Sequence, residues 1–141
     1  MENYIVQQSV KIKAQPSKVW DALTNPNKTK KYFFHCKVFS DWKQGSTITF
    51  KGKLFYIFPI EMTGKIQAVE QNKLLKYTLN NGKSNTHSTV TDRLSFADGI
   101  TTLSISDDVG QGEGAEKRYK RSVKGWEKVL KGLKKLVEEA N

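Results

Sequence analysis

Two aspartates, Asp92 and Asp107, are the residues whose type and spacing point most directly to chemistry. They lie in two β-rich segments that flank Asp98-Gly99, a dipeptide that favours a two-residue hairpin turn. If these residues form the turn, Asp92 faces Ile105 and Val90 faces Asp107 across the hairpin. The two acids then share one face of the sheet as diagonal neighbours, roughly 7–8 Å apart.

Two acids that face an apolar cavity are expected to have raised pKa values, because burial and mutual repulsion disfavour their charged forms. Such a pair could act as general acid and base, or it could orient a polar group of a ligand. Three structural alternatives stay open at this point. Asp107 lies beyond the last paired residue, Asp92 bonds to Gln8 or to an arginine, or a bulge turns both acids outward.

The other reactive side chains are few. His35 and Cys36 are adjacent, so on a strand they point to opposite faces and the imidazole cannot activate the thiol. His87 is expected to face outward, from the alternation of its strand. Two histidines and one cysteine are too few for a zinc cluster or a Ser-His-Asp site. We therefore expect a buried thiol, surface imidazoles, no metal and no cofactor.

A glycine-rich segment, Gly110-Gln111-Gly112-Glu113-Gly114, precedes the last helical pattern. It does not have the spacing of a dinucleotide or P-loop motif, and its acidic neighbours Asp107 and Asp108 would repel phosphate. The segment is better explained as a flexible crossing between a strand and a helix. Such a crossing could also gate the mouth of a cavity.

The bulk composition is that of one ordinary domain over residues 1–141. A single cysteine excludes an internal disulfide, and neither a secretion signal nor a membrane span is recognisable. A cytoplasmic location is the expectation. The formal net charge of +10 raises the question of an anionic partner.

The elements that must position these residues begin with the longest one. Apolar residues recur three or four apart from Glu113 to Asn141, which predicts one amphipathic helix of roughly 40 Å. A stripe of that length needs a surface to cover. The stripe consists of Tyr119, Val123, Trp126, Leu130, Leu133 and Val137.

The upstream pattern predicts that surface, as a strand, two short helices and five or six further antiparallel strands. Pro16 and the pair Asn25-Pro26 mark the two helix starts, and Pro59 is expected to break a strand run. The expected strands are Tyr4 to Lys13, His35 to Phe39, Thr47 to Phe55, one from Ile60, one through Leu75 to Leu79, His87 to Phe96 and Ile100 to Asp107, with a loop at Asn80 to Asn85.

With this order of elements the chain resembles the START-like (SRPBCC, helix-grip) superfamily. Within it, the chain is similar to the branch named for the activator of the heat-shock-protein-90 ATPase. The resemblance covers nearly the whole chain and implies an α+β fold, with a curved antiparallel sheet of six to seven strands around a long C-terminal helix. The residues that carry it are Ala14-Gln15-Pro16-Ser17-Lys18-Val19-Trp20-Asp21-Ala22-Leu23-Thr24-Asn25-Pro26, Asp41-Trp42-Lys43-Gln44-Gly45, Gly64 through Leu75-Lys76-Tyr77-Thr78, Gly125-Trp126, Val129-Leu130 and Leu133.

The resemblance implies a cavity between sheet and helix, and Gly52, Gly64 and Ala68 on the inner face would leave room for it. A fully packed core is the alternative. Tyr32 or Phe33 is expected near the entrance. The residues expected to bind the ligand are Phe33, Phe50, Leu54, Met62, Tyr77, Asp92, Tyr119 and Trp126.

Three functions are therefore open. The leading hypothesis is non-enzymatic binding of a hydrophobic or lipid-like small molecule. A cyclase- or dehydratase-like enzyme would use Asp92 and Asp107, and would require both acids to reach the cavity. The family name implies a third function, a cochaperone module with a chaperone partner in the stress response.

The charge excess concentrates on the polar face of the long helix. Such a basic face attracts polyanions without reading their sequence, and no base-stacking or groove-reading motif accompanies it. We expect a solvated face rather than a specific nucleic-acid site. Its basic residues are Lys117, Arg118, Lys120, Arg121, Lys124, Lys128, Lys131, Lys134 and Lys135.

Overall fold

The computed structural model describes residues 4–54, 58–80 and 87–140. In chain order they form one strand, two short helices, six more strands and a long helix, as the sequence predicts. The elements are β1 (Ile5–Ile12), α1 (Pro16–Thr24), α2 (Pro26–Tyr32), β2 (Cys36–Ser40), β3 (Thr47–Leu54), β4 (Phe58–Glu70), β5 (Leu74–Asn80), β6 (His87–Ala97), β7 (Ile100–Asp108) and α3 (Ala115–Glu139).

The strands form one antiparallel sheet in the order β1-β7-β6-β5-β4-β3-β2. Among the strands of the described residues, only β1 and β7 pair although they are distant in the chain, while each other pair is consecutive. The fold is therefore α+β and of the helix-grip type, with seven strands. Pro59 does not break a strand, because it is the second residue of β4. Phe55 and residues 81–85 of the predicted loop lie outside the described residues.

The β6–β7 hairpin has the register expected from Asp98-Gly99. Both turn residues have positive φ angles, 53° and 78°, as a two-residue hairpin turn with φ > 0 at both positions requires. Asp92 pairs with Ile105 and Val90 pairs with Asp107. The local turn chemistry therefore fixes which side chains of both strands face inward.

Helix α3 lies across the inner face of the sheet and buries its apolar stripe there. Trp126, Leu130, Leu133 and Val137 are buried, whereas Tyr119 is half-buried. Polar contacts to β1 and to Lys13, which directly follows it, fix the axial position of the helix. Gln8 Nε2 donates to the carbonyl oxygen of Val123 at 3.0 Å, Lys134 Nζ donates to that of Lys11 at 2.5 Å, and the Lys13 N–H donates to Glu138 Oε2 at 2.8 Å.

Helices α1 and α2 pack against each other and against α3, and α2 also packs against β2. Each begins with a proline, where the missing N–H has no helical partner anyway. Asn25 caps α2, since its side chain accepts from the N–H of Asn27 at 3.0 Å. The buried hydroxyl of Thr29 accepts from the N–H of Val38 at 3.1 Å, which joins α2 to β2.

The inner-face glycines do not create space between sheet and helix, contrary to the expectation from sequence. A side chain at Gly64 would overlap the carbonyl group of Thr78 on β5, and one at Gly52 would overlap the carbonyl group of His35. Both glycines allow backbones to approach closely. Any cavity must therefore come from the distance between the sheet and α3.

Candidate functional site

A cavity of about 470 Å³ lies between the N-terminal half of α3 and strands β4 to β7. We call it the large cavity. Its open side is marked by three exposed residues, Phe34, Asn80 and Arg121. The apolar lining is Phe33, Phe34, Met62, Leu79, Val90, Val109, Trp126 and Val129 with Gly125, and the polar lining is Asn80, Ser88, Asp107, Arg118, Arg121 and Ser122.

Phe33 forms the centre of the inner wall of the large cavity. Its ring stacks on Phe50, with centroids 4.7 Å apart and planes at 24°. It also meets the rings of Trp126 at 6.0 Å and Phe34 at 5.4 Å edge-on. These are favourable geometries for aromatic pairs. The ring of Phe33 is therefore held from three sides.

The backbone after α2 explains why Phe33 points inward and Phe34 outward. Phe34 and His35 have positive φ angles of 51° and 61°, an uncommon conformation for residues with side chains. The turn is closed by the N–H of Cys36, which donates to the carbonyl oxygen of Phe33 at 2.8 Å. As a result Phe33 is buried while Phe34 lies over Gly125 of α3.

Behind this wall lies a second space of only about 20 Å³, which we call the inner void. Phe33, Trp126 and Val129 line both spaces, so these side chains separate them. A volume of this size holds about one water molecule. The other residues around the inner void are Leu23, Thr29, Tyr32, Ile48, Phe50, Leu75, Tyr77, Asp92, Leu103, Ile105, Leu130 and Leu133.

Asp107 lies in the wall of the large cavity and is tied to α3 through one of its oxygens. Its Oδ2 accepts from Ser122 Oγ at 2.5 Å and from Trp126 Nε1 at 2.8 Å. Its Oδ1 is buried and has no donor among the described residues. Burial raises the pKa of Asp107, and the hydrogen bonds from Ser122 and Trp126 partly oppose that rise.

Asp92 is the more deeply buried acid, with 3% of its surface exposed, and it lines the inner void. Burial, together with the nearby charge of Asp107, raises its pKa to about 7. The pKa values of Tyr32 and Tyr77 are also raised, by burial and then by the charge of Asp92. The Tyr32 hydroxyl donates to the carbonyl oxygen of Ala22 at 2.7 Å.

The structure thus places both acids on the inner face but in different spaces. Asp107 does not lie beyond the last paired residue and is not turned outward by a bulge, because it pairs with both Val90 and Val6 within the sheet. Gln8 bonds to α3. Only Asp107 lines the large cavity, since Phe33 and Trp126 stand between that cavity and the void around Asp92.

Arginine side chains flank the open side of the large cavity. Arg118 braces the glycine-rich segment by donating to the carbonyl oxygens of Val109 at 3.0 Å, Glu113 at 3.1 Å and Gln111 at 3.4 Å. Gly110, Gly112 and Gly114 all have positive φ angles. Glycine adopts this conformation without steric cost, which explains why it occupies all three positions. Arg121 is exposed and makes no ion pair within the part of the chain that the structure describes.

The sequence predicts one cavity lined by all eight chosen residues. The structure instead has two spaces, because Phe33 and Trp126 lie between them. Phe33, Met62 and Trp126 line the large cavity. Phe50, Tyr77 and Asp92 surround the inner void. Tyr119 lines neither space and packs against Tyr4 with centroids 6.0 Å apart. The side chain of Leu54 lies outside the described residues. The residue at the open side is Phe34, whereas Tyr32 or Phe33 was expected there and Phe33 is buried.

Sequence reasoning missed several residues of the lining. Val129 follows Trp126 by three residues and Ser122 precedes it by four, and Gly125 has the same spacings to Ser122 and Val129, so helical spacing carried a signal for all three. Arg121 gave no signal, because it was one of many basic residues on the same helix. Of the nine basic residues expected on the polar face of α3, seven are exposed, while Arg118 and Lys134 are half-buried.

The remaining candidate chemistry is sparse. His35 and His87 are exposed, and Cys36 is buried, as expected. Over residues 4–54, 58–80 and 87–140, no group of histidine, cysteine and acidic side chains could hold a metal ion. None of the helices described combines the length and apolar character needed to cross a bilayer.

Comparison with known proteins agrees with this geometry. The family model for activator of Hsp90 ATPase homolog 1-like proteins matches residues 13–138. No curated protein matches the chain.

Solved structures of similar fold come from several bacteria. ChR145 from Cytophaga hutchinsonii is 33% identical, with a TM-score of 0.78 over 99% of this chain and 98% of that one. MLL2253 from Mesorhizobium loti is 23% identical, with a TM-score of 0.81 over 97% and 98%. NE0264 from Nitrosomonas europaea is 15% identical, with a TM-score of 0.82 over 97% and 96%. The last two show the fold alone.

The raised pKa of Asp92 predicts that its replacement by asparagine stabilises the protein at alkaline pH. The folded protein holds a proton on Asp92 that the unfolded chain releases near the ordinary aspartate pKa of 3.8, so stability falls as pH rises from about 4 to about 7. Asp92→Asn removes this loss. We expect its free energy of unfolding at pH 8 to exceed that of the wild type by roughly 2–4 kcal/mol, at about 1.4 kcal/mol per pKa unit.

Urea unfolding at pH 4 and pH 8 measures the effect, with the exposed Asp41→Asn as control. The advantage of Asp92→Asn should shrink toward pH 4, where the wild-type acid is protonated. An equal difference at both pH values would show that Asp92 titrates normally in the folded protein.

Proposed function

We propose a function from the premise that this chain belongs to the family of activator of Hsp90 ATPase homolog 1-like proteins: it binds a small hydrophobic or amphipathic molecule in the large cavity. Family and fold together support a ligand-binding or cochaperone-like module. The finer assignment rests on the contents of this particular interior, and it requires neither a metal nor a cofactor.

The observation that carries the proposal is the large cavity itself. Its volume of about 470 Å³ lies within the roughly 300–1,000 Å³ of typical ligand sites. Its inner wall is apolar and aromatic, and nine of the fifteen lining residues, Gly125 among them, are apolar. Each ring of that wall is fixed by a neighbouring ring, so the site needs little rearrangement on binding.

The distribution of polarity favours a ligand with one polar end. Phe33, Val90 and Val129 are buried and offer only apolar surface. Asn80 and Arg121 are exposed at the open side, where a polar group of the ligand would remain in contact with water. An apolar body would lie inside, and its burial would supply most of the affinity.

The arrangement of the acids argues against the enzyme alternative. A cyclase- or dehydratase-like reaction would use Asp92 and Asp107 together, but Asp92 lies behind Phe33 and Trp126. A ligand in the large cavity would touch one acid only. A general acid and a general base must both be within hydrogen-bond reach of the reacting group.

Gly125 offers a matched pair of variants to test ligand binding. An added Cβ there would sit 3.4 Å from Phe34 Cζ, so alanine fits, whereas leucine would extend into the large cavity. We expect the fluorescent probe 1-anilinonaphthalene-8-sulfonate to bind the wild type and Gly125→Ala alike. Gly125→Leu should weaken binding by about tenfold or more, because its side chain occupies the same volume.

Fluorescence titration of the probe measures these affinities, and circular dichroism checks that each variant is folded. No saturable binding to the wild type, or unchanged binding to folded Gly125→Leu, would contradict a ligand site in the large cavity.

A second candidate function, a cochaperone-type interaction, is favoured by the family description. The exposed basic face of α3 would be the contact surface for an acidic partner region. An ATPase assay with a purified Hsp90-type chaperone distinguishes the two functions. The ligand-binding proposal expects an unchanged ATPase rate. A rate increase that is lost in Lys124→Glu/Lys128→Glu would instead establish the cochaperone function.

A further inference from the structure

Two arginines contribute positive charge to the lining of the large cavity. Of the nine basic residues of α3, only Arg118 and Arg121 belong to that lining. Arg118 donates to three backbone carbonyl oxygens around the glycine-rich segment, and these uncharged acceptors leave its positive charge unneutralised. Arg121 is exposed at the open side. In every ion pair that joins described residues the cation is a lysine, so neither arginine has an acidic partner there.

The acid in the lining of the large cavity does not balance these charges. Asp107 is only 6% exposed, and its Oδ2 accepts from Ser122 and Trp126 rather than from an arginine. Burial also raises its pKa, which works against its negative charge. A cleft with one sign of charge and low-dielectric walls concentrates ions of the opposite sign. The open side of the large cavity therefore attracts anions.

The position of Arg121 relative to the apolar interior restricts the shape of the ligand. Phe33, Val90 and Val129 offer buried apolar surface inside, whereas Arg121 lies in water at the opening. Because its side chain is long and exposed, its guanidinium can reach a head group at the opening without being desolvated. The planar guanidinium presents paired N–H donors that match a carboxylate.

We propose that the ligand of the large cavity is an amphipathic anion, with an apolar tail in the interior and a negatively charged head group bound by Arg121 at the open side. The inference rests on the proposed function, and it adds the chemical class of the ligand. Arg121 is the specificity-determining residue, and Arg118 adds positive potential while it braces the glycine-rich segment. No bond is made or broken.

The first test varies the head group on a constant tail. Decanoate, decan-1-ol and decylammonium share one alkyl chain and are negative, neutral and positive at neutral pH. Each displaces the neutral fluorescent reporter N-phenyl-1-naphthylamine from the wild type, below the concentration at which micelles form. We expect decanoate to bind about fivefold more tightly than decan-1-ol, and decylammonium to bind least tightly. Added salt should reduce the preference, because it screens the charges at the opening.

The second test removes the preference through Arg121→Gln. The variant should bind decanoate about fivefold less tightly than the wild type does, so that its preference over decan-1-ol disappears. Lys135→Gln is the matched control, since it removes the same charge from an exposed position of the same helix. Lys135 lies about 20 Å further along α3 and outside the lining of the large cavity, so this variant should keep the wild-type preference. Circular dichroism checks that both variants are folded.

The outcomes separate this inference from the function on which it rests. Equal affinity of the wild type for decanoate and decan-1-ol, with both displacing the reporter, overturns the role of Arg121 and leaves the ligand site standing. An equal loss of preference in Lys135→Gln overturns it too, because the net charge would then be responsible. A wild type that binds neither the neutral reporter nor 1-anilinonaphthalene-8-sulfonate overturns both proposals. The comparison of head groups on the wild type gives this answer even where Arg121→Gln does not fold.

Discussion

The structure depends on the attachment of α3 to the sheet through one oxygen of Asp107. Ser122 and Trp126, one helical turn apart, both donate to Oδ2, so the carboxyl group fixes the height of the helix above β7. The glycine-rich segment lies between β7 and α3, and Arg118 braces it by donating to the carbonyl oxygen of Val109. With these ties in place, the N-terminal half of the helix stands away from the sheet and the large cavity lies beneath it.

Much of this architecture follows from local sequence signals. The Asp98-Gly99 turn fixes the register of β6 and β7, which brings Asp92 and Asp107 to the inner face. The apolar spacing of α3 and the two proline-started helices are equally local. These features were predictable because each depends on residues that are close together in the chain.

The division of the interior was not predictable in the same way. It depends on Phe33, whose inward position follows from left-handed backbone conformations at Phe34 and His35. Neither residue is a glycine or an asparagine, the types that commonly adopt this conformation, so the sequence did not predict it. The role of Gly64 was also hidden, since only the paired strands show that the Thr78 backbone occupies the space of its missing side chain. Both features result from contacts between distant segments. Phe33, together with Trp126, stands between the spaces that the two acids line.

A crystal structure determined under xenon pressure tests the central claim most directly, because xenon enters apolar cavities without needing a specific ligand. The account predicts xenon in the large cavity, bounded by Phe33, Val90 and Val129, with the Asp107 carboxyl group bonded to Ser122 and Trp126. Side chains of α3 packed directly against Val90, with no xenon between helix and sheet, would contradict it.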